Sequence, residues 1–284
     1  MKQVLNLFKL RIGVAIALAA AAGLAVEAGP GPGAGAATAL VLAVLFASAA
    51  AGAFNQYVER DLDARMGRTQ NRPFVTGRLR HGPFWLWVIG ALLVASVLAA
   101  ALAANALAAA YVFLGAFTYG VVYTVWLKRR TWWNIVIGGL AGSFAVLAGA
   151  AAVSPAPGPE ALWLAVVLFL WTPPHFWSLA IVCREDYAKA GVPMLPVVVG
   201  DERAARAILA SAVLLVAASL VPAAYGLGWI YGAFAAAGGA FFLARCRELV
   251  RRPTRLAARA AFLASLAQLG AVLAGAMLDA ALLT

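Results

Sequence analysis

Nine stretches of about twenty mostly apolar residues run along this 284-residue chain, and they fix what it can fold into. They fall near 10–26, 36–56, 83–104, 107–127, 132–153, 160–182, 207–225, 228–244 and 261–282. Each is long enough to cross a bilayer as a helix, and water offers no equivalent way to bury nine of them. With 64% hydrophobic and 12% charged residues, the composition excludes a soluble globule, a disordered chain and a disulfide scaffold. The expected fold is therefore an all-α polytopic membrane protein. It forms one domain, 1–284, of about nine transmembrane helices around a central cavity opening to the cytoplasmic side. No cleavable signal peptide is expected.

The net charge of +11 would suggest nucleic acid in a soluble protein, but here the spans sort it. With the N-terminus inside, all 22 basic residues, from Lys2 and Lys9 to Arg255 and Arg259, fall on one side with eight acidic ones, net +14. The other side holds only Glu27, Glu160 and Asp279. That is the pattern of a multi-pass protein of a bacterial-type inner membrane, N-terminus cytoplasmic and C-terminus outside, with no nucleic-acid partner. Cys183 and Cys246 both fall on the reducing side, so neither a disulfide nor a structural zinc site is expected.

Two cytoplasmic loops, about 57–82 and 183–206, hold most of the acidic residues. In the first, Asn55, Glu59 and Asp63 recur every four positions and stack on one helical face. An amide oxygen and two carboxylates on one stripe suit Mg²⁺, with a phosphate completing its shell. Arg68 and Arg72 follow, and guanidiniums fork onto phosphate oxygens. The competing reading is a solvated, charge-neutralised loop. In the second, Pro173-Pro174 should break or kink the sixth span ahead of His175. Glu185, Asp186 and Lys189 then form either a second platform for the same metal–diphosphate or a capped span end with ordinary ion pairing. Lys128, in Lys128-Arg129-Arg130, either faces a diphosphate or simply obeys the inside rule. Tyr57, Tyr119, Tyr123, Trp126, Phe176 and Trp177 form an interfacial belt or shield a carbocation with their π faces.

Together these stretches resemble the UbiA-type intramembrane prenyltransferase superfamily, and within it the protoheme IX farnesyltransferase branch. Asn55, Glu59 and Asp63 match the first acidic motif Asn-x-x-x-Asp-x-x-x-Asp, with Glu for the first Asp. Asp61-Leu-Asp63-Ala-Arg65-Met66, Tyr123-Thr124 with Leu127-Lys128-Arg129, and Pro173-Pro174-His175-Phe176-Trp177 with Asp186-Tyr187 are similar to the haem branch. The second DxxxD is missing, since Val182 lies four before Asp186, and Phe8-Lys9-Leu10-Arg11 stands where relatives have Lys-Pro-Arg.

The resemblance implies transfer of a farnesyl group from farnesyl diphosphate to a vinyl group of haem B, giving haem O and diphosphate. It implies Mg²⁺ on Asn55, Glu59, Asp63, Asp186 and Glu185, with Asn55, Glu59, Asp63, Asp186 and Lys128 as the catalytic set. Arg68, Arg72, Lys128 and Lys189 would hold the diphosphate. His175, Tyr123, Trp177 and Tyr187 would touch haem or prenyl chain, His175 as a candidate axial ligand. The lipid bilayer, and a downstream haem A synthase or terminal oxidase assembly partner, complete the implied partners. A quinone-ring precursor as acceptor, or a secondary transporter, are the competing functions; carboxylates confined to one face argue against transport.

Overall fold

A computed structural model describes residues 2–283, all of them in helices or connections, with no strand among the described residues. The side chain of Lys2, counted above on the inner face, lies outside that description. Eight helices are long and apolar enough to cross a membrane, and a ninth apolar helix, Leu10–Val26, has 17 residues. In chain order they are α1 (Leu10–Val26), α2 (Gly33–Val58), α3 (Pro83–Ala103), α4 (Ala106–Leu127), α5 (Asn134–Ala151), α6 (Pro159–Val182), α7 (Asp201–Leu220), α8 (Trp229–Arg251) and α9 (Arg255–Leu283). The expected spans are all present. Their loop-side ends reach further than apolarity alone indicates, because charged turns such as Asp201-Glu202-Arg203 and Arg247–Arg251 stay helical once an apolar span has nucleated them.

Small residues let the helices approach closely, the main source of attraction where lipid is as apolar as the side chains. α1 and α5 cross at Gly23 and Gly149: a Cβ on Gly149 would run into the backbone of Ala20, and one on Gly23 into that of Val146. On the face away from the two long loops, two acidic residues serve the backbone. Glu27 accepts from Gly158 N at 3.0 Å with both oxygens. Asp279, fully buried, accepts from Gly228 N at 2.6 Å and Tyr231 N at 3.0 Å and so caps the start of α8.

The anticipated break at Pro173-Pro174 does not occur. α6 is helical from Pro159 to Val182 with both prolines inside it. The lost N–H groups are tolerated because neighbouring helices hold the segment. Trp171 Nε1 donates to Ser265 O of α9 at 2.7 Å, and His175 Nδ1 bonds Ser265 Oγ at 2.7 Å. α4 departs in another way. It is α-helical to Phe117, and then ten residues, Thr118–Leu127, continue as a π-helix.

Candidate active site

α2 ends at Val58, yet its register continues. Glu59 N donates to Asn55 O at 3.0 Å and Asp63 N to Glu59 O at 2.8 Å, across the junction with a short helix, Arg60–Arg65. Asn55, Glu59 and Asp63 therefore stack as their spacing predicts, and all three are at most 2% exposed. Two carboxylates so far from water demand compensation. Lys128 Nζ lies 2.6 Å from both Glu59 oxygens and donates its hydrogen bond to Oε2, leaving Oε1 without one. Arg72 Nη1 lies 2.6 Å from Asp63 Oδ2. Burial raises the Asp63 pKa and Arg72 opposes that. Asn55 donates to Thr124 Oγ1 at 3.0 Å, and its Oδ1 takes Lys9 Nζ at 2.6 Å. Asp61 points elsewhere and forms an exposed bidentate pair with Arg129, at 2.8 and 2.9 Å.

The π-helix explains how α4 reaches this cluster. Tyr119 and Lys128 are nine positions apart. At about 3.6 residues per turn that separation leaves them on opposite faces. Bonding from i to i+5, as in Lys128 N to Tyr123 O at 2.9 Å, widens the turn to roughly 4.4 residues, so nine positions make about two turns. Tyr119 and Lys128 then look the same way, Tyr119 OH towards Lys9 at 3.3 Å and Lys128 onto Glu59. Tyr123 lies between them, stacked on Tyr119 at 5.5 Å with the Lys128 ammonium 5.5 Å from its ring centre.

The second loop meets the first through Asp186. Its two oxygens accept from Gly67 N at 3.1 Å and Arg68 N at 3.2 Å, while Tyr187 OH accepts from Arg68 Nη2 at 3.3 Å. Arg68 is thereby held at the rim, within the field of Asp63. Asp186 thus anchors the backbone of the first loop to the second. Glu185 and Lys189 are not brought to the cluster. On the helix Arg184–Lys189 adjacent residues point about 100° apart, and Glu185 and Lys189 share the other side. Glu185 is exposed and pairs with Arg255 at 3.0 Å; Lys189 is exposed.

His175 is not brought to the carboxylates either. Its ring is stacked between Trp171 at 4.0 Å and Phe262 at 4.6 Å, and its Nδ1 is taken by Ser265. These contacts make it a clamp between α6 and α9. Trp177 is buried 6.2 Å from Trp132, centre to centre, with its indole N–H unpartnered.

Sequence reasoning missed Lys9 as a member of the site. A lone lysine before the first span reads as topology. In the structure Lys9 takes a left-handed backbone, φ 46°, and its stem packs over Gly52, 3.4 Å from where a Cβ would stand. The readable signal was Gly52 interrupting an alanine run three residues before Asn55. Burial, reinforced by Arg72 and Lys128, pushes the Lys9 pKa down to about 7. Lys9 also lines the loop-side end of an apolar crevice of about 80 Å³ bounded by α1, α2, α4 and α5. The cavity is thus bounded by four helices of the nine.

Four cations, Lys9, Arg68, Arg72 and Lys128, surround two buried carboxylates, an arrangement that calls for an anion. No group of three or more His, Cys, Asp or Glu side chains that could hold a metal by itself is found among the described residues. Two carboxylates, an amide oxygen and the free lone pair on Glu59 Oε1 fit instead a Mg²⁺ that arrives with a phosphate, since Mg²⁺ commonly takes one or two carboxylates plus substrate phosphates. The ensemble can hold a diphosphate head with its apolar tail in the crevice.

Comparison with known proteins agrees with this geometry. A family model described as the UbiA prenyltransferase family matches residues 16–268. Protoheme IX farnesyltransferase 2 of Paramagnetospirillum magneticum is 57% identical over 279 residues, 98% of this chain and 97% of that protein. Protoheme IX farnesyltransferase 1 of the same organism is 52% identical over 214 residues, 75% of each. In fold, the chain is similar to a digeranylgeranylglyceryl phosphate synthase (TM-score 0.78, 17% identity, 98% of both chains). It is also similar to a UbiA homologue from Archaeoglobus fulgidus bound to GPP and Mg²⁺ (TM-score 0.73, 18% identity, 96% and 99% of the two chains).

Proposed function

The chain belongs to the UbiA prenyltransferase family, and from that premise we propose that it transfers a farnesyl group from farnesyl diphosphate to a vinyl group of protoheme IX, giving haem O and diphosphate. The observation that carries this reading is the cation-rimmed pair of buried carboxylates at the mouth of an apolar crevice, in a chain 57% identical over almost its full length to a protoheme IX farnesyltransferase.

Lys128, Arg72 and Arg68 clamp diphosphate oxygens, and Lys9 faces the junction of head and chain. Asn55, Glu59 and Asp63 would hold Mg²⁺ brought in with the diphosphate, and the metal, when bound, neutralises charge that grows on the leaving group. As the allylic C–O bond ionises, the fixed ammonium and guanidinium groups stabilise the departing oxygens without reorganising. Tyr119 and Tyr123 present ring faces beside the same space and shield the allylic cation. The apolar walls keep water from the allylic cation until the vinyl carbon attacks it; the cation this leaves on the other vinyl carbon is then taken by a water, which loses a proton to become the hydroxyl of haem O. Asp186 acts one step removed, by holding the loop that carries Arg68. The whole chain acts as one domain, with these loops on the cytoplasmic side of a bacterial-type inner membrane.

The test is to incubate membranes carrying the protein with farnesyl diphosphate, Mg²⁺ and haem B and to follow products by mass. Haem O is expected. Unchanged haem alongside consumption of an added quinone-ring precursor would overturn the acceptor. Glu59→Ala or Asp63→Ala protein that still released diphosphate at the wild-type rate would overturn the site.

A further inference from the structure

The crevice has a measurable depth. α1 runs away from the loop face, while α2 and α4 run towards it, so three helices gauge the same distance independently. Its lining runs from Lys9, Gly52 and Tyr119 at the loop-side end to Ile16, Val44 and Tyr111 at the other. These separations of seven, eight and eight residues correspond to about 10–12 Å at 1.5 Å per residue. Between the ends the wall is made of small side chains, among them Ala47, Ser48, Ala51 and Ala116. Only two lining residues are aromatic, Tyr119 at the mouth and Tyr111 at the bottom. The Tyr111 ring stacks on Phe144 at 6.1 Å and 24°, tying α4 to α5 across the end of the space.

We propose that the stacked Tyr111–Phe144 pair is the floor that limits the prenyl donor to three isoprene units. The inference rests on the reading that an allylic diphosphate binds with its head at Lys9 and Lys128. An isoprene unit contributes four main-chain carbons and spans roughly one helical turn, about 5 Å. The first unit must sit level with Lys9 and Tyr119, because its C–O bond ionises beside the cations. Two further units descend the two turns to Tyr111. A fourth meets the ring, and a two-unit chain leaves the lowest turn unfilled and loses that apolar contact.

The experiment presents the full-length protein, in membranes with haem B and Mg²⁺, with C10, C15 and C20 prenyl diphosphates in competition. Products are sorted by mass, and diphosphate release from each donor alone is measured alongside. Tyr111→Ala and Phe144→Ala should raise the C20-to-C15 ratio at least tenfold, whereas Tyr111→Phe keeps the ring and should leave it unchanged. Ala47→Leu fills the crevice one turn above the floor and should shift preference from C15 towards C10. Should the alanine variants not accumulate, the Ala47→Leu result decides. Unaltered length preference in Tyr111→Ala or Ala47→Leu overturns the floor, as does a Tyr111→Phe that behaves like Tyr111→Ala. Wild-type protein that turns over none of the three donors fails at a different point: it removes the prenyl-transfer reading, and the floor with it.

Discussion

Removing the Lys128 ammonium should be costly to the fold, and the cost should trace to Glu59. The Glu59 side chain is 1% exposed and that of Lys128 9%, with 2.6 Å between the ammonium and the carboxylate. Lys128→Met keeps much of the side-chain volume and strands a carboxylate with no water to receive it. Breaking a buried pair in this way typically costs about 3–5 kcal/mol. Lys9 and Arg72 soften the loss, because both lie within the field of the same carboxylate cluster. The expected destabilisation is therefore about 3 kcal/mol, at the lower end. Converting Glu59 as well, in Lys128→Met/Glu59→Gln, removes the stranded charge and should return most of that stability while activity stays lost. The assay is reversible unfolding in mixed micelles followed by far-ultraviolet circular dichroism, with diphosphate release measured on the same samples. Equal stability of the single and double variants would refute the pairing argument. A single variant with wild-type turnover would refute the role of Lys128 in the reaction.

Gly149→Ala should lower stability by about 1–3 kcal/mol, since its Cβ has nowhere to go but into the Ala20 backbone; a thermal-shift series in detergent checks it, with the donor KM expected to stay put in whatever folds. Asp186→Asn should raise the donor KM about tenfold by loosening the Arg68 loop, on the scale of a charge-assisted hydrogen bond, whereas Glu185→Gln should change turnover less than about twofold. Steady-state kinetics on the two variants separates these neighbours. The Lys9 pKa of about 7 leaves the group partly neutral at pH 8, and a polyanion beside it favours the charged form. Binding of farnesyl diphosphate at pH 8 should therefore take up more protons in wild type than in Lys9→Arg, which is charged throughout. Titration calorimetry in buffers of different ionisation enthalpy measures the difference.

Span positions and the stacked Asn55–Glu59–Asp63 stripe were both legible in the sequence, because each depends on hydropathy or on a single helical period. What was not legible depends on where two segments meet. Glu185 and Asp186 are equally acidic neighbours, and only docking of the second loop on the first decides that Asp186 reaches Gly67 and Glu185 reaches Arg255. Pro173-Pro174 predicts a break by local rules, and contacts with Ser265, ninety residues on, hold the helix together. Lys9 reads as one more inside charge because its burial comes from Gly52, Asn55 and Tyr119, all distant in the chain.

The π-helix in α4 has a bearing on how this protein can change length. Over Thr118–Leu127 the wide turn holds the backbone in a fixed frame, and the frame sets the bearing of Lys128. Deleting one residue there allows an ordinary α-helix to re-form, and eight positions at about 100° in place of nine at about 82° swing the downstream residues by about 60° relative to Tyr119. Lys128 then leaves Glu59, and Leu127 turns towards the place it held. A loop of similar length could absorb the same deletion. Substitutions within this stretch test side chains one at a time, but a single gap or insertion is in effect a mutation of the whole C-terminal end of α4.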